Sequence, residues 1–292
     1  MKKLFLFLVL LVGVMSLHAQ TSTKKEIAYV KDIKPSGNLA QKYTDAIRAQ
    51  IMQGLLDSKR LVIKDIKSDQ QFQAEWAKRT ADASISEEEY GFQILRTLNA
   101  RWVIGGSITT VECPKEDSYY AANIIVNLEI IDVSTGTVSA QETISSELSL
   151  LEIGTLSTTG STEDEALSNA AKVLAKRARV FAENNFELYG AILEVSLEKK
   201  GKAEEVYIDL GEAAGVKEKD VFEVFETRIV AGRPSKKKIG ELKVTNVEGD
   251  DLALCKVTKS GDVILQKMQA LGEGEQLKIE SKPKKTGKVL PF

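Results

Sequence analysis

Few side chains in this sequence could perform catalysis, and histidine is the clearest case. The only histidine of the 292 residues is His18, in an N-terminal segment that we expect to be removed. A mature chain without histidine has no Ser-His-Asp or Cys-His nucleophile, no histidine general base and no histidine-containing zinc site.

Other nucleophiles and acids are explained more simply without catalysis. Ser-x-x-Lys pairs occur at Ser196/Lys199, Ser235/Lys238 and Ser281/Lys284, none of them at the start of a predicted helix. The acids Glu87–Glu89 open a predicted helix, where negative charge complements the helix dipole, and they are a weak candidate for a glycosidase pair. We therefore predict a protein that is not an enzyme and has no catalytic residue.

Cofactor and metal motifs are also missing from the sequence. Neither G-x-x-x-x-G-K-[ST] nor G-x-G-x-x-G occurs, and Gly105-Gly106 falls within a predicted strand, which suggests a bulge or close packing. The segment "VEGDD" (247–251) lacks the oxygen-ligand spacing of a calcium loop and is typical of a polar turn. We predict no cofactor and no metal site.

Basic residues form the remaining candidate site. The run "GRPSKKK" (232–238) is either a solvated hairpin tip or a surface that recognises a partner, and a charged turn at 217–220 is a second candidate. The predicted contact residues are Arg233, Lys236, Lys237, Lys238, Lys217 and Lys219. The run lacks interleaved aromatic residues, and removal of the N-terminal segment changes the formal net charge from −2 to −4, so we predict no nucleic-acid partner.

The N-terminus has the composition of a secretory signal peptide. A basic "MKK" precedes the apolar run "LFLFLVLLVGVM", and Ala19 supplies a small residue before Gln20. The run is shorter than the ~20 residues of a transmembrane helix, and no cysteine follows it for a lipid anchor. We predict a signal peptide at 1–19, cleavage after Ala19, and a periplasmic or secreted protein whose membrane association is at most peripheral or through partners.

The mature chain divides into two predicted domains. Residues 20–188 alternate strands with amphipathic helices, including an apolar stripe from Leu39 to Leu55, a helix capped by Ser84 or Ser86, and a helix from 163 to 184 with a capping box at Thr162/Glu165. Residues 189–272 carry only strand patterns, and 273–292 form a basic segment that we expect to be flexible. The fold class is therefore α+β, an α/β sandwich followed by a small β-barrel.

The stretch "YIDLGEAAGVKEKDVFEVF" (207–225) predicts a corner of that barrel. Gly211 and Gly215 allow the chain to turn, Val221, Val224 and Phe225 are expected to resume a buried strand, and the charged turn at 217–220 is expected to be exposed. Cys113 and Cys255 lie in separate strand-like runs. They either pair in an oxidising compartment or, as we favour, serve as small apolar residues in their own domains.

A hairpin at 124–148 is the strongest strand signal. Ile124, Val126, Leu128 and Ile130 share one face, and Val138, Ala140, Ile144 and Leu148 are expected to share one face of the returning strand. Glu142 interrupts that apolar face. A soluble sheet covered by helices therefore explains the hairpin better than insertion into a membrane.

The motif order resembles a known envelope family. A helix followed by "NARWVIGGSI" (99–108) and then "IDVSTGTV" (131–138) is similar to the CsgG/LpoB/FlgT-like bacterial envelope assembly proteins, and the C-terminal β-part looks like the last domain of FlgT-like proteins. The resemblance implies a CsgG/TolB-N-like α/β sandwich followed by an SH3-like or OB-like barrel. It implies a non-enzymatic assembly or adaptor protein that contacts envelope proteins or further copies of itself. Its alternatives are a subunit of a CsgG-like secretion channel and an LpoB-like regulator of a cell-wall synthase.

Overall fold

The computed structural model describes residues 25–284 apart from 36, 38, 80–84, 150–151 and 273. The predicted signal peptide and its cleavage after Ala19 lie outside these residues. The described chain is a mixed α+β structure with a five-stranded mixed sheet and a separate closed barrel of six strands. The predicted α+β class and the presence of a small barrel are confirmed at this level.

The first half contains both helices and strands. Its elements are β1 (Ile27–Pro35), α1 (Gln41–Asp57), β2 (Val62–Asp65), α2 (Gln70–Trp76), α3 (Glu87–Thr97), β3 (Ala100–Glu112), β4 (Tyr120–Ala121), β5 (Asn123–Asp132), β6 (Thr137–Ser145), β7 (Thr159–Gly160) and α4 (Glu163–Asn185). The sheet order is β2-β1-β3-β5-β6. Strands β2, β1 and β3 are parallel because helices connect them, whereas a tight turn makes β5 and β6 antiparallel.

Helices cover both faces of this sheet. Ile51 of α1 and Phe181 of α4 pack with Leu128 and other sheet residues in one core, and all three side chains are fully buried. Phe72 of α2 and Phe92 of α3 pack on the opposite face in a smaller core. A sheet buried on both sides explains the long apolar runs of β1 and β3.

Two helix starts follow the predicted capping chemistry. The Ser86 hydroxyl accepts a hydrogen bond from the Glu89 N–H, and Thr162 Oγ1 accepts one from the Glu165 N–H, each satisfying a free donor of the first helical turn. The Glu165 carboxylate accepts hydrogen bonds from the hydroxyl and N–H of Ser161, and these, together with the Thr162 N–H, lower its pKa. The predicted capping box is therefore present and extends to Ser161.

The hairpin β5–β6 is confirmed, with one change of register. Ile124, Val126, Leu128 and Ile130 are buried under α1 and α4. Ile130 pairs with Ala140 and Ile131 pairs with Val138, so Ser139 is an extra residue in a β-bulge. The bulge turns Val138 to the other face, where it is 55% exposed, and the expectation that Val138 shares the buried face of Ile144 is wrong.

The predicted close packing at Gly105-Gly106 is confirmed. A Cβ on Gly106 would lie 2.0 Å from the carbonyl oxygen of Asn127 on the adjacent strand, and the glycine has φ +157°. The pairing of β3 with β5 shifts register at Ile108/Thr110, and the pairing of β3 with β1 shifts between Val30/Ile104 and Ile33/Gly106. Gly106 thus lets β3 and β5 approach, and the suggested irregularity at Gly105-Gly106 lies in the pairing with β1.

The second half forms the barrel. Its elements are β8 (Tyr189–Lys199), β9 (Lys202–Ile208), a 3-10 turn (Glu212–Ala214), β10 (Val221–Val230), β11 (Arg233–Val247), β12 (Ala253–Lys259), α5 (Gly261–Ala270) and β13 (Lys278–Ser281). The strands close in the order β10-β11-β12-β9-β8-β13. Strand β8 begins at Tyr189, where the sequence predicts the second domain to start.

Two elements of the barrel differ from expectation. Helix α5, which carries buried Ile264 and Leu265, lies where only strands are predicted. Strand β13 pairs with β10 and β8, so part of the expected flexible segment 273–292 closes the barrel. Residues 285–292 of that segment lie outside the described residues. On β10, Phe222 and Val224 are the fully buried residues, whereas Val221 and Phe225 are only partly covered.

The cysteines lie in different cores and are both free. Cys255 is fully buried in the barrel, and burial raises the pKa of its thiol to about 12. Cys113 packs against the larger core of the first half. Both therefore serve as small apolar residues rather than as a disulfide.

Glu142 generates a pH-dependent prediction. It faces Leu128, and burial raises the pKa of its carboxyl. The ionised form is therefore disfavoured in the fold at pH values above the folded pKa, and this effect disappears below the unfolded pKa of about 4.3. Glu142→Gln should raise the melting temperature by roughly 2 °C near neutral pH, with no gain at about pH 3.5.

Thermal unfolding followed by circular dichroism at both pH values measures this difference. Glu112→Gln, on an exposed position of the same sheet, is the matched control and should change little. A gain of equal size at both pH values would show that packing, and not charge burial, limits stability at position 142.

Candidate protein-contact surface

The six predicted contact residues lie in two separate places. Arg233, Lys236, Lys237 and Lys238 are on β11, whereas Lys217 and Lys219 precede β10. These places are at opposite ends of the ten-residue strand β10. The structure therefore does not bring the six residues into one patch.

The first place is a projecting two-stranded arm, residues 226–237. Strand β10 pairs with β13 only from Phe222 to Phe225, and β11 pairs with β12 only from Glu241 onward. Beyond these points β10 and β11 pair only with each other among the described residues, over five residue pairs from Glu226/Lys237 to Val230/Arg233. At ~3.4 Å per residue the arm extends about 17 Å beyond the barrel.

The tip of the arm is a two-residue turn at Ala231-Gly232. Both residues have positive φ, 51° and 76°, as a type I′ hairpin turn requires. Next to this turn, Ile229 is 69% exposed and Val230 is 50% exposed. Two neighbouring apolar side chains at the end of a solvated hairpin have no folding role there, so they are available for contact.

The two faces of the arm differ in whether their cations are paired with acids. Paired residues share a face, so Arg228, Arg233 and Lys237 lie on one face together with the acid Glu226. The Lys267 ammonium donates a hydrogen bond to Glu226, and the pKa of the Glu226 carboxyl is lowered first by that bond and then by Lys237 and Arg228. Three cations thus share one acid that is already engaged, and we call this the cationic face.

On the opposite face, the lysines form ion pairs with acids. Lys236 forms an ion pair with Glu280 and lies over the Phe225 ring, with Nζ 4.1 Å from the ring centroid. Lys238, just below the arm, pairs with Glu223, and this bond raises the pKa of its ammonium. Of the predicted residues on β11, only Arg233 and Lys237 therefore belong to the cationic face.

Sequence reasoning missed Arg228, Ile229 and Val230. Alternation along "FETRIV" together with the hairpin register would have placed Arg228 beside Arg233. The projection of the arm could not be derived this way, because it depends on where β13 and β12 stop pairing.

The second place is the junction between the two halves of the chain. Lys25 Nζ donates to the Ala213 carbonyl at 2.6 Å, and Lys59 Nζ lies 3.0 Å from Glu212 Oε1. Gly215 has φ +79°, and a Cβ there would lie 2.4 Å from the Ser58 carbonyl oxygen. The glycine-bearing corner at 207–225 therefore contacts the first half as well as turning the barrel strand.

A buried carboxylate lies at the centre of the junction. The Glu183 side chain is 2% exposed, and its oxygens lie 2.7 Å from Arg179 Nε and 2.8 Å from Lys284 Nζ. Burial alone would raise the pKa of Glu183, but the hydrogen bonds from Lys284 and Arg179 lower it below its usual value. The group is therefore ionised in the fold and depends on its two partners.

The turn at 217–220 is exposed only in part: Glu218 and Lys219 are exposed as the sequence predicts, whereas Lys217 is half-buried and Asp220 is buried. Asp220 is 8% exposed, accepts a hydrogen bond from the Lys217 N–H and lies 2.9 Å from Lys284 Nζ. Burial, followed by repulsion from Arg179, lowers the pKa of Lys217. Lys219 alone of the two predicted lysines keeps an exposed side chain.

Two of the Ser-x-x-Lys pairs are accounted for by structural contacts or lie exposed. Ser281 Oγ accepts a hydrogen bond from the Leu188 N–H, and Lys284 is engaged by two acids. Ser196 and Lys199 are both exposed on β8. Within the described ranges no group of three or more potential ligands could hold a metal ion, and no helix is long and apolar enough to cross a membrane.

Comparisons with known proteins find only partial likenesses. No protein-family model and no curated protein sequence matches the chain. Among solved structures, a PelC dodecamer from Paraburkholderia phytofirmans is 18% identical, with TM-score 0.29 over 52% of this chain and 86% of that one. The LpoB C-terminal domain from Escherichia coli is 12% identical, with TM-score 0.32 over 45% and 90%. The lipoprotein GNA1162 from Neisseria meningitidis is 11% identical, with TM-score 0.31 over 41% and 81%.

Lys284 tests the importance of the junction. Lys284→Met keeps side-chain length but leaves Glu183 and Asp220 short of a cation, so we expect a loss of about 1–3 kcal/mol in the free energy of unfolding near pH 7. Because the folded pKa of Glu183 is lowered, its stabilisation is present above the unfolded pKa of about 4.3 and is lost as pH falls. The difference between variant and native protein should therefore narrow below about pH 4.

Urea unfolding followed by circular dichroism gives both free energies. Lys278→Met, on an exposed position of β13, is the control for loss of a nearby lysine. Equal stability of Lys284→Met and Lys278→Met, or a difference that does not depend on pH, would contradict this view of the junction.

Proposed function

We propose that this chain is a non-enzymatic assembly or adaptor protein of the bacterial cell envelope that acts through protein–protein contacts. The observation that carries the proposal is the arm, which extends beyond the barrel and presents at its tip exposed Val230 on the cationic face and exposed Ile229 on the opposite face. An exposed apolar side chain can insert into an apolar recess of a partner. The neighbouring cations have no free acid of their own to pair with, so they can contact acidic residues around that recess.

The junction also supports the proposal, because it fixes the orientation of the arm. Ion pairs, hydrogen bonds and a close backbone contact at Gly215 join the two halves, so the direction in which the arm projects is fixed relative to the α/β half. An arm of defined direction loses less conformational entropy on binding than a flexible tail. Its open strand edges carry Pro234 and lysines, which discourage unspecific pairing of edges.

The envelope setting rests on the sequence. The signal peptide pattern at 1–19 leads us to propose a periplasmic or secreted location, and the motifs at 99–108 and 131–138 lead us to propose a CsgG/TolB-N-like α/β domain followed by an SH3-like or OB-like barrel. The partners that we propose are envelope proteins, including further copies of this chain, with neither nucleic acid nor direct membrane insertion involved.

Of the alternative roles, the regulator of a cell-wall synthase is a special case of this proposal, in which the partner is an enzyme. The channel-subunit alternative depends on the 124–148 hairpin. The apolar face of its β5 strand is packed under α1 and α4, so this alternative is less favoured.

The test compares two arm variants in capture experiments. One variant carries Ile229→Ser and Val230→Ser, and the other carries Arg228→Gln, Arg233→Gln and Lys237→Gln. Tagged mature protein is cross-linked in envelope extract from its own source, and co-purified proteins are quantified by mass spectrometry. We expect a stoichiometric partner with the native arm and at least about a tenfold loss with each variant, because apolar anchors and charged contacts at an interface contribute ~1–3 kcal/mol each.

Matched controls exist elsewhere on the chain. Val138→Ser removes an exposed apolar side chain of another strand, and Lys199→Gln, Lys200→Gln and Lys202→Gln together remove three exposed lysines of another barrel hairpin. Both should capture as much partner as the native protein. Recovery of the native protein alone as a monomer, or equal capture by all variants, would refute the role of the arm.

A further inference from the structure

The junction contains a cavity that the proposed adaptor role does not use. Its volume is about 210 Å³, and both halves of the chain line it: Arg60 and Glu183 from the first, and Lys219, Asp220, Lys282 and Lys284 from the second. This is smaller than the roughly 300–1,000 Å³ of sites for drug-sized ligands. It therefore suits one small chemical group rather than a whole cofactor.

Arg60 makes the cavity chemically distinctive. The residue is 8% exposed, and its Nε and Nη1 atoms are buried without a hydrogen-bond partner among the described residues. Buried side-chain donors are nearly always hydrogen-bonded, and a guanidinium remains charged under all ordinary conditions. An arginine held this way, at the wall of a cavity, is suited to receive an anionic acceptor from a ligand.

The acids at the cavity do not supply that acceptor. The Glu183 oxygens are bonded to Arg179 and Lys284, and the Asp220 oxygens to Lys284 and the Lys217 N–H. Four cationic side chains and two acidic ones line the cavity, which leaves a surplus of two positive charges. Lys282 shares the Glu241 carboxylate with two other lysines, so its charge is only partly compensated.

The cations reach the cavity from three chain segments. Arg60 follows α1, Lys219 precedes β10, and Lys282 follows β13. Donors that converge from separate segments match a tetrahedral oxyanion, which has several acceptor oxygens, better than a planar carboxylate, which has two. Arginine and lysine are both well suited to bind phosphate, arginine through its planar fork of donors and lysine as a point charge.

We propose that this junction cavity binds a phosphate group, held by Arg60 of the first half together with Lys219 and Lys282 of the second. Inorganic phosphate, a small phosphomonoester and the headgroup of an anionic phospholipid share this chemistry. A ligand held from both halves stabilises their association, so occupancy is coupled to the rigidity of the junction and hence to the direction of the arm.

The experiment uses the mature protein and three probes: inorganic phosphate, glycerol 3-phosphate, and vesicles with or without phosphatidylglycerol. Isothermal titration calorimetry detects binding of the soluble probes, and thermal unfolding detects the accompanying stabilisation. Chloride and acetate at equal ionic strength are the reference anions. We expect saturable binding of at least one phosphate probe and a melting temperature that rises with its concentration, with neither effect for chloride or acetate.

Two substitutions identify the site. Arg60→Gln should abolish binding, and Lys219→Asn should weaken it about three- to tenfold while an asparagine keeps the positive φ of 73°. Lys200→Asn removes an exposed lysine of the same barrel at a comparable φ of 53°, and it should bind as the native protein does. Because the Lys219 side chain is exposed, Lys219→Asn is expected to fold, and it tests the site even if Arg60→Gln does not fold.

The measurements with vesicles distinguish the two sources of phosphate. Binding to phosphatidylglycerol vesicles that requires Arg60, without binding of soluble phosphates, identifies a lipid headgroup, whereas the reverse identifies a soluble phosphate. The proposal is overturned if acetate binds as well as phosphate, if no probe binds, or if Lys219→Asn and Lys200→Asn bind equally. None of these measurements involves an envelope partner, so failure here leaves the adaptor proposal untouched.

Discussion

The relation between the two halves of this protein depends on the ionised carboxylate of Glu183. It lies near the end of α4, almost without solvent, and it requires Arg179 from its own helix and Lys284 from beyond the barrel. A buried charge without such partners is strongly destabilising. The requirement keeps residues 281–284 over the junction, and the same residues bring Lys282 next to the cavity and leave β13 in place between β10 and β8.

Rigidity and exposure are therefore divided between the two ends of one strand. At its first residue, β10 adjoins buried Asp220, the cavity and the charged junction. At its last residue, the same strand presents exposed apolar side chains at the tip of the arm. A continuous strand joins the two, so the proposed coupling needs no direct contact between the junction and the contact surface.

Local patterns made much of the fold predictable. The stripe of Ile47, Ile51 and Leu55 predicts α1, Ser86 and Thr162 predict helix starts, and the alternation from Ile124 to Ile130 predicts the buried face of β5. Each of these signals depends on residues close in sequence. The barrel strand at 278–281 is only four residues long and becomes a strand through pairing with distant β10 and β8, and the alternation of buried Leu277 and Ile279 is too short to mark it. The bulge at Ser139 could not be predicted from the sequence either. One extra residue changes which side chain faces the core, but it does not change the composition of the strand.

The candidate site was predictable in its chemistry and not in its geometry. The basic run at 232–238 indicates a contact surface, but the split between Lys237, on the cationic face, and Lys236, paired with Glu280, follows from the hairpin register and from β13. Burial of Asp220 and the position of Arg60 depend on how the two halves meet. That arrangement is decided by contacts over more than a hundred residues, such as the one between Glu183 and Lys284.

The late position of β13 in the chain has a consequence for the order of folding. A chain that emerges from its N-terminus can complete the five-stranded sheet and α4 while the barrel is still open, because β8 and β10 lack the strand between them until residues 278–281 appear. Contacts of such long sequence separation form slowly. Until then the edges of β8 and β10 are unpaired where β13 will lie, so the protein is most vulnerable to association with other chains in the last moments of its synthesis.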